Sequence, residues 1–85
     1  MRKKAPRFNG SNEIGRSIEK SLEEYFVKLD GEPPHGVYEM VMNQVERALF
    51  ASIMARATGN QSQAAEMLGM NRNTLRTKLS RYGIK

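Results

Sequence analysis

Between Asn71 and Arg81 the chain gathers Arg72, Asn73, Thr74, Arg76, Thr77, Lys78, Ser80 and Arg81, with no carboxylate among them. Guanidinium groups make paired hydrogen bonds to phosphate oxygens or to the edge of a guanine. Amides and hydroxyls add neutral bonds to the same kinds of oxygen and nitrogen. Such a set is suited to holding a polyanion, not to breaking a bond. The other reactive residue types are sparse. The single histidine, His35, follows Pro33 and Pro34 in a loop and has no cysteine or second histidine to share a metal with. Glu23 and Glu24 are adjacent on a helical stretch, so they diverge by about 100° and cannot act on one substrate atom. No nucleophile–base set and no glycine-rich phosphate loop is present. The expectation is a binding protein without catalytic residues, metal or cofactor.

The residues around the basic stretch can position it. Asn60 is suited to cap a helix, with Gln63 three residues later as a capping box requires. Ala64, Ala65 and Leu68 then put small and apolar groups on one face. Gly69 stops that helix and Met70 plugs the turn. Asn71 caps a second helix, in which Leu75, Leu79 and Tyr82 recur at helical spacing as a buried stripe. A small residue where two helices cross, a glycine four residues on, and apolar anchors behind a polar face make a helix-turn-helix. A plain helical hairpin with a solvated basic face would use some of the same residues. The agreement of caps, Ala65, Gly69 and anchors favours the DNA-binding motif.

Charge supports this placement. The chain has 85 residues and a formal net charge of +5. Residues 1–7 carry +4, residues 8–55 carry −4, and residues 56–85 carry +5. Positive charge therefore sits on the basic tail and on the helix-turn-helix, as a polyanion partner would require. A chain this short buries a modest core, which makes a partner surface expected. With no cysteine, no apolar run long enough for a membrane and no signal-peptide pattern behind MRKKAPRF, the expected location is cytoplasmic.

The chain divides into residues 1–12, a flexible basic tail; 13–57, dimerisation helices; and 58–85, the helix-turn-helix. The tail either touches phosphates or is simply solvated. A helix is expected from about Asn12 to Lys28, with Ile14, Ile18, Leu22, Phe26 and Leu29 on one stripe. Asp30 to Gly36 is a loop rich in proline and glycine. A longer helix is expected from about Val37 to Ala57. Its apolar residues occupy two faces, one with Val41, Val45, Leu49 and Ile53, the other with Phe50, Met54 and Ala57. Two faces need two partners. The first helix can cover one, and a second copy of the chain is the expected cover for the other. Val41, Val45, Leu49, Phe50 and Ile53 are thus the candidate dimer core.

The stretch GNQSQAAEMLGMNRNTLRTKLSRYGIK, with LEEYFVKLDGEPPHGVYEMVMNQVERALF before it, resembles the Fis family of bacterial nucleoid-associated proteins over roughly residues 14–85. The resemblance implies an all-α fold of four helices per subunit, an intertwined homodimer core and a C-terminal helix-turn-helix. It implies binding to double-stranded DNA that must bend to meet two closely spaced recognition helices, and so part of the specificity from deformability. It further implies a nucleoid location, a role in transcription regulation, and RNA polymerase or a recombinase as protein partners. Arg72 matches the arginine that reaches a guanine edge, and Asn71 an asparagine near the bases. Thr74 and Arg76 match residues on the phosphates, Asn60 and Ser62 a helix start that favours phosphate, and Lys78 and Arg81 basic positions near bent flanks. Gln61, Asn73 and Thr77 complete the candidate surface. Thr77 and Ser80 stand where the family often has lysine, and Thr58 and Gln63 where it often has arginine. MRKKAPRFNGSN lacks the alternating apolar pattern of the hairpin arm that contacts a DNA invertase in that family. The alternatives are a basic helical module that meets an acidic protein, and an isolated DNA-binding domain of the NtrC class, whose helix-turn-helix is of the same type.

Overall fold

Four helices and no strand make up the part of the chain that the computed structural model describes, residues 11–85. They are α1 (Ser11–Leu29), α2 (Val37–Arg56), α3 (Gln61–Leu68) and α4 (Arg72–Tyr82). The fold is all-α, as expected. The expected basic tail lies outside the described residues except for its last two, which already belong to α1.

Residues up to Val37 and residues from Tyr38 onward form two separate units. In the first, α1 has Glu13 in its first turn and Lys28 in its last, charges that oppose the helix dipole. Its apolar stripe is present, yet none of its described side chains is buried. Ile18, Leu22 and Leu29 are half-covered, while Ile14 and Phe26 stay exposed.

The second unit holds the core. Phe50, Met54 and Ala57 of α2, Ala64 and Ala65 of α3, and Leu75, Leu79 and Tyr82 of α4 are all buried and form one cluster. Ile53, Leu68, Met70 and Ile84 pack against its edge. The expected plug at Met70 is present, and Ile84 folds back onto the same cluster. The cover for the Phe50–Met54–Ala57 face of α2 differs from expectation. It is the chain's own helix-turn-helix. Phe50, expected in a dimer core, is 2% exposed inside one chain, with its ring centroid 6.2 Å from that of Tyr82.

The other α2 face, with Val41, Val45 and Leu49, is not buried, and Leu49 is 45% exposed. At about 100° per residue these side chains lie well away from Phe50, Met54 and Ala57 around the helix.

Short helices need firm ends. Asn60 accepts a bond from the Gln63 N–H at 3.0 Å, which caps α3. The expected capping box is half made, because the Asn60 N–H turns back to the Ala57 carbonyl. Asn71 Oδ1 accepts from the Asn73 N–H at 2.8 Å and caps α4. Both helices stop in the same way. Gly69 (φ 73°) and Gly83 (φ 66°) take the left-handed conformation that a Cβ would strain. The next residues, Met70 and Ile84, donate to the carbonyls of Ala65 and Leu79. Each stop thus turns an apolar side chain back onto the core.

Leu79 is 1% exposed at the centre of the cluster. Leu79→Ala is expected to lower unfolding stability by about 2–5 kcal/mol, the lost transfer energy plus the cavity. Urea denaturation followed by circular dichroism checks this; a change below the bottom of that range would mean that Leu79 does not anchor α4.

Candidate nucleic-acid interface

Burial of Leu75, Leu79 and Tyr82 determines which residues of α4 remain outside. Arg72, Asn73, Thr74, Arg76, Thr77, Ser80 and Arg81 are all exposed. The α4 members of the sequence-based set, Lys78 apart, are therefore brought onto the solvent side of one eleven-residue helix. No acidic residue occurs in α4, so nothing on that surface repels an anion.

Several members have work within the fold. Asn71 uses its side-chain oxygen as the α4 cap, which leaves its amide nitrogen to donate outward. Asn60 likewise uses its oxygen to cap α3. Thr77 Oγ1 donates to the Asn73 carbonyl at 3.1 Å, four residues back in its own helix. Ser62 is exposed and Gln61 half-buried in the first turn of α3, where the free N–H groups of a helix start favour anions.

Lys78 is placed differently from the rest. Its Nζ donates to Glu46 Oε2 of α2 at 2.9 Å, the one ion pair among the described residues. Its charge is thus met inside the chain, on the flank of α4 that faces α2.

Glu46 makes a second bond. Its Oε1 accepts from the Tyr82 hydroxyl at 2.6 Å. Asn43 Oδ1 is 3.2 Å from that hydroxyl. The hydroxyl has one proton, and the shorter, charge-assisted bond to the carboxylate takes it. Arg47, the next residue on α2, sets its guanidinium carbon 5.3 Å from the Tyr82 ring centroid, within cation–π range. Its Nη1 also points at the Tyr82 carbonyl, at a long 3.5 Å. Asn43, Glu46 and Arg47 therefore gather around the last turn of α4.

Apolar periodicity places Tyr82 in a stripe and assigns no role to these α2 residues. The usable signal was the residue type. A buried tyrosine needs a partner for its hydroxyl. Asn43 and Glu46 share the α2 face of Phe50, at spacings of seven and four.

The hydroxyl of Tyr82, then the ammonium of Lys78, hold the Glu46 carboxyl below the ordinary value of 4.5. The same carboxylate, followed by burial, raises the Tyr82 phenol above 10.0. A carboxyl lowered on folding adds stability that is complete above its unfolded value and is lost as pH falls through the folded one. A phenol raised on folding adds stability below 10.0 that is lost as pH rises through its own folded value. The clamp is therefore intact across neutral pH. The Glu46→Gln variant is expected to show a shallower loss of stability than the wild type as pH falls below 4.5. Urea midpoints measured from pH 7 downward check this; parallel curves would mean that Glu46 is not linked to folding.

Comparison with known proteins adds a family. Residues 41–82 match the family model described as bacterial regulatory protein, Fis family. The chain is 50% identical over 72 residues to a protein named Fis-like DNA-binding protein in Neisseria meningitidis serogroup A, which covers 85% of this chain and 91% of that one. A protein of the same name from Ralstonia nicotianae is 51% identical over 73 residues, 86% of this chain and 95% of its own. One from Actinobacillus succinogenes named DNA-binding protein Fis is 46% identical over 71 residues, 84% of this chain and 72% of its own.

Proposed function

We propose that this chain, which belongs to the Fis family of bacterial regulatory proteins, binds double-stranded DNA as a homodimer and bends it in regulating transcription. The observation that carries this reading is the exposed face of α4, with Arg72, Arg76 and Arg81 on a capped helix that has no acidic residue. An α-helix of this kind fits the major groove, where a guanidinium can pair with the edge of a guanine. Relatives named as DNA-binding proteins over nearly their whole length support the same partner.

Within this reading the residues divide by role. Arg72, at the start of α4, reads a base. Asn71, through its amide nitrogen, and Asn73 lie beside it. Thr74, Arg76, Thr77 and Arg81 meet the backbone on either side. Asn60, Gln61 and Ser62 bring the start of α3 to a phosphate. The dimer is supported by what one chain leaves uncovered. The stripe of α1 has no buried residue, and Val41, Val45 and Leu49 of α2 are unburied. Residues 13–57 then serve dimerisation and 58–85 serve DNA. Two recognition helices held close in a dimer would bend the duplex, and sequences that bend easily would be preferred. Such a protein would act at the nucleoid.

Arg72→Ala is expected to cost about 1–3 kcal/mol on a selected site and to relax preference at one base of each half-site. Arg76→Ala is expected to weaken all sequences alike and to reduce the salt slope by about one. Binding titrations on selected and random duplexes at several salt concentrations separate the two. Equal losses on both DNAs for Arg72→Ala would remove its base-reading role.

Leu49→Glu places a charge on the uncovered α2 face. It is expected to abolish the dimer, because an unpaired charge buried in an interface costs several kcal/mol. Sedimentation measures this, and an unchanged dimer would exclude Leu49 from the interface.

A further inference from the structure

Leu75 and Leu79 hold α4 on the core, but apolar contact is not directional and tolerates rotation and sliding. Direction comes from the Glu46 carboxylate. One oxygen takes the Tyr82 hydroxyl at 2.6 Å and the other the Lys78 ammonium at 2.9 Å. Lys78 and Tyr82 are four residues apart, one turn of α4, on the same flank. A single planar group bonded to two points one turn apart fixes both the rotation of α4 about its axis and its height along α2. Arg47 adds to the grip by covering the Tyr82 ring.

The position of this clamp on α2 gives it a consequence beyond one chain. Asn43, Glu46 and Arg47 occupy the same turns as Val41, Val45 and Leu49, but a different side of the helix. The side with the valines is the one the proposed dimer would bury. One stretch of α2 therefore holds both the partner subunit and the reading helix.

We propose that Glu46 is a positioning residue for DNA recognition: by tying Lys78 and Tyr82 to α2 it sets how far apart, and at what angle, the two α4 helices of a dimer meet the duplex. This rests on the dimeric DNA-binding function proposed above. The side chain touches no DNA. Its effect is on half-site spacing, and Lys78 serves the clamp instead of a phosphate.

The test uses duplexes recovered by selection from a random pool, remade with the distance between half-sites lengthened or shortened by one base pair. Wild type is expected to favour the recovered spacing. Glu46→Ala is expected to reduce that preference by roughly tenfold, with little change in affinity for random duplex or in its salt slope. Tyr82→Phe keeps the ring against Phe50 and loses only the hydroxyl. It is expected to reduce the preference in the same direction, and it decides the matter if Glu46→Ala does not fold. Lys78→Gln is expected to leave the salt slope unchanged.

A full spacing preference in a folded Tyr82→Phe or Glu46→Ala protein overturns the proposal. So does tighter, more salt-sensitive binding of Glu46→Ala to random DNA, which would make Glu46 a competitor that withholds Lys78 from phosphate. Wild type that binds without any spacing preference removes the dimeric reading itself, a result visible before any variant is made.

Discussion

Two helices of eight and eleven residues must be held in place by burial, because neither is long enough to be stable alone. Everything outside follows from that constraint. Ala64 and Ala65 are buried where a larger side chain would hold α4 away from the core. Leu75, Leu79 and Tyr82 then enter the space against Phe50, Met54 and Ala57. With that side of α4 committed, the arginines, Asn73 and the hydroxyl residues have only solvent, or a ligand, to face. The exposed polar face of α4 is the complement of the core.

The long helix α2 reconciles two demands. It is apolar on more than one side, which in an isolated helix would be a liability. Here one side is spent within the chain, on α3 and α4, and another, with Val41, Val45 and Leu49, stays unburied. Glu46, a charged residue on the inner side, is acceptable because its two oxygens accept from the Tyr82 hydroxyl and the Lys78 ammonium. No buried side-chain nitrogen or oxygen among the described residues lacks a hydrogen-bond partner. Directional contacts thus lie at the rim of the apolar cluster, where water also reaches and the cost of desolvating a charge is low.

The distribution of charge gains meaning from this arrangement. Lys78 had the same standing in the sequence as Arg76 and Arg81, a base on a basic helix. Folding brings Glu46, remote in the chain, against it and cancels its charge locally. Arg72 and Arg76, nearer the start of α4, make no ion pair among the described residues, whereas Arg81 is near enough for its charge to act on the same Glu46 carboxylate. A count of bases on the helix therefore overstates the charge offered to an anion.

Local pattern determined the helices, their caps and their stops. Asn60, Asn71, Gly69 and Gly83 act on backbone within a few residues of themselves, so the chain carries their meaning without a fold. The outward face of α4 was legible for the same reason, since helical spacing alone separates Leu75, Leu79 and Tyr82 from the rest. Only tertiary structure decided which neighbour covers Phe50, Met54 and Ala57, because periodicity shows that a face must be buried and not by what. It alone decided that Lys78 joins Glu46 and that Tyr82 becomes a hub. Those bonds link residues 32 and 36 positions apart, and no local rule orders groups at that separation.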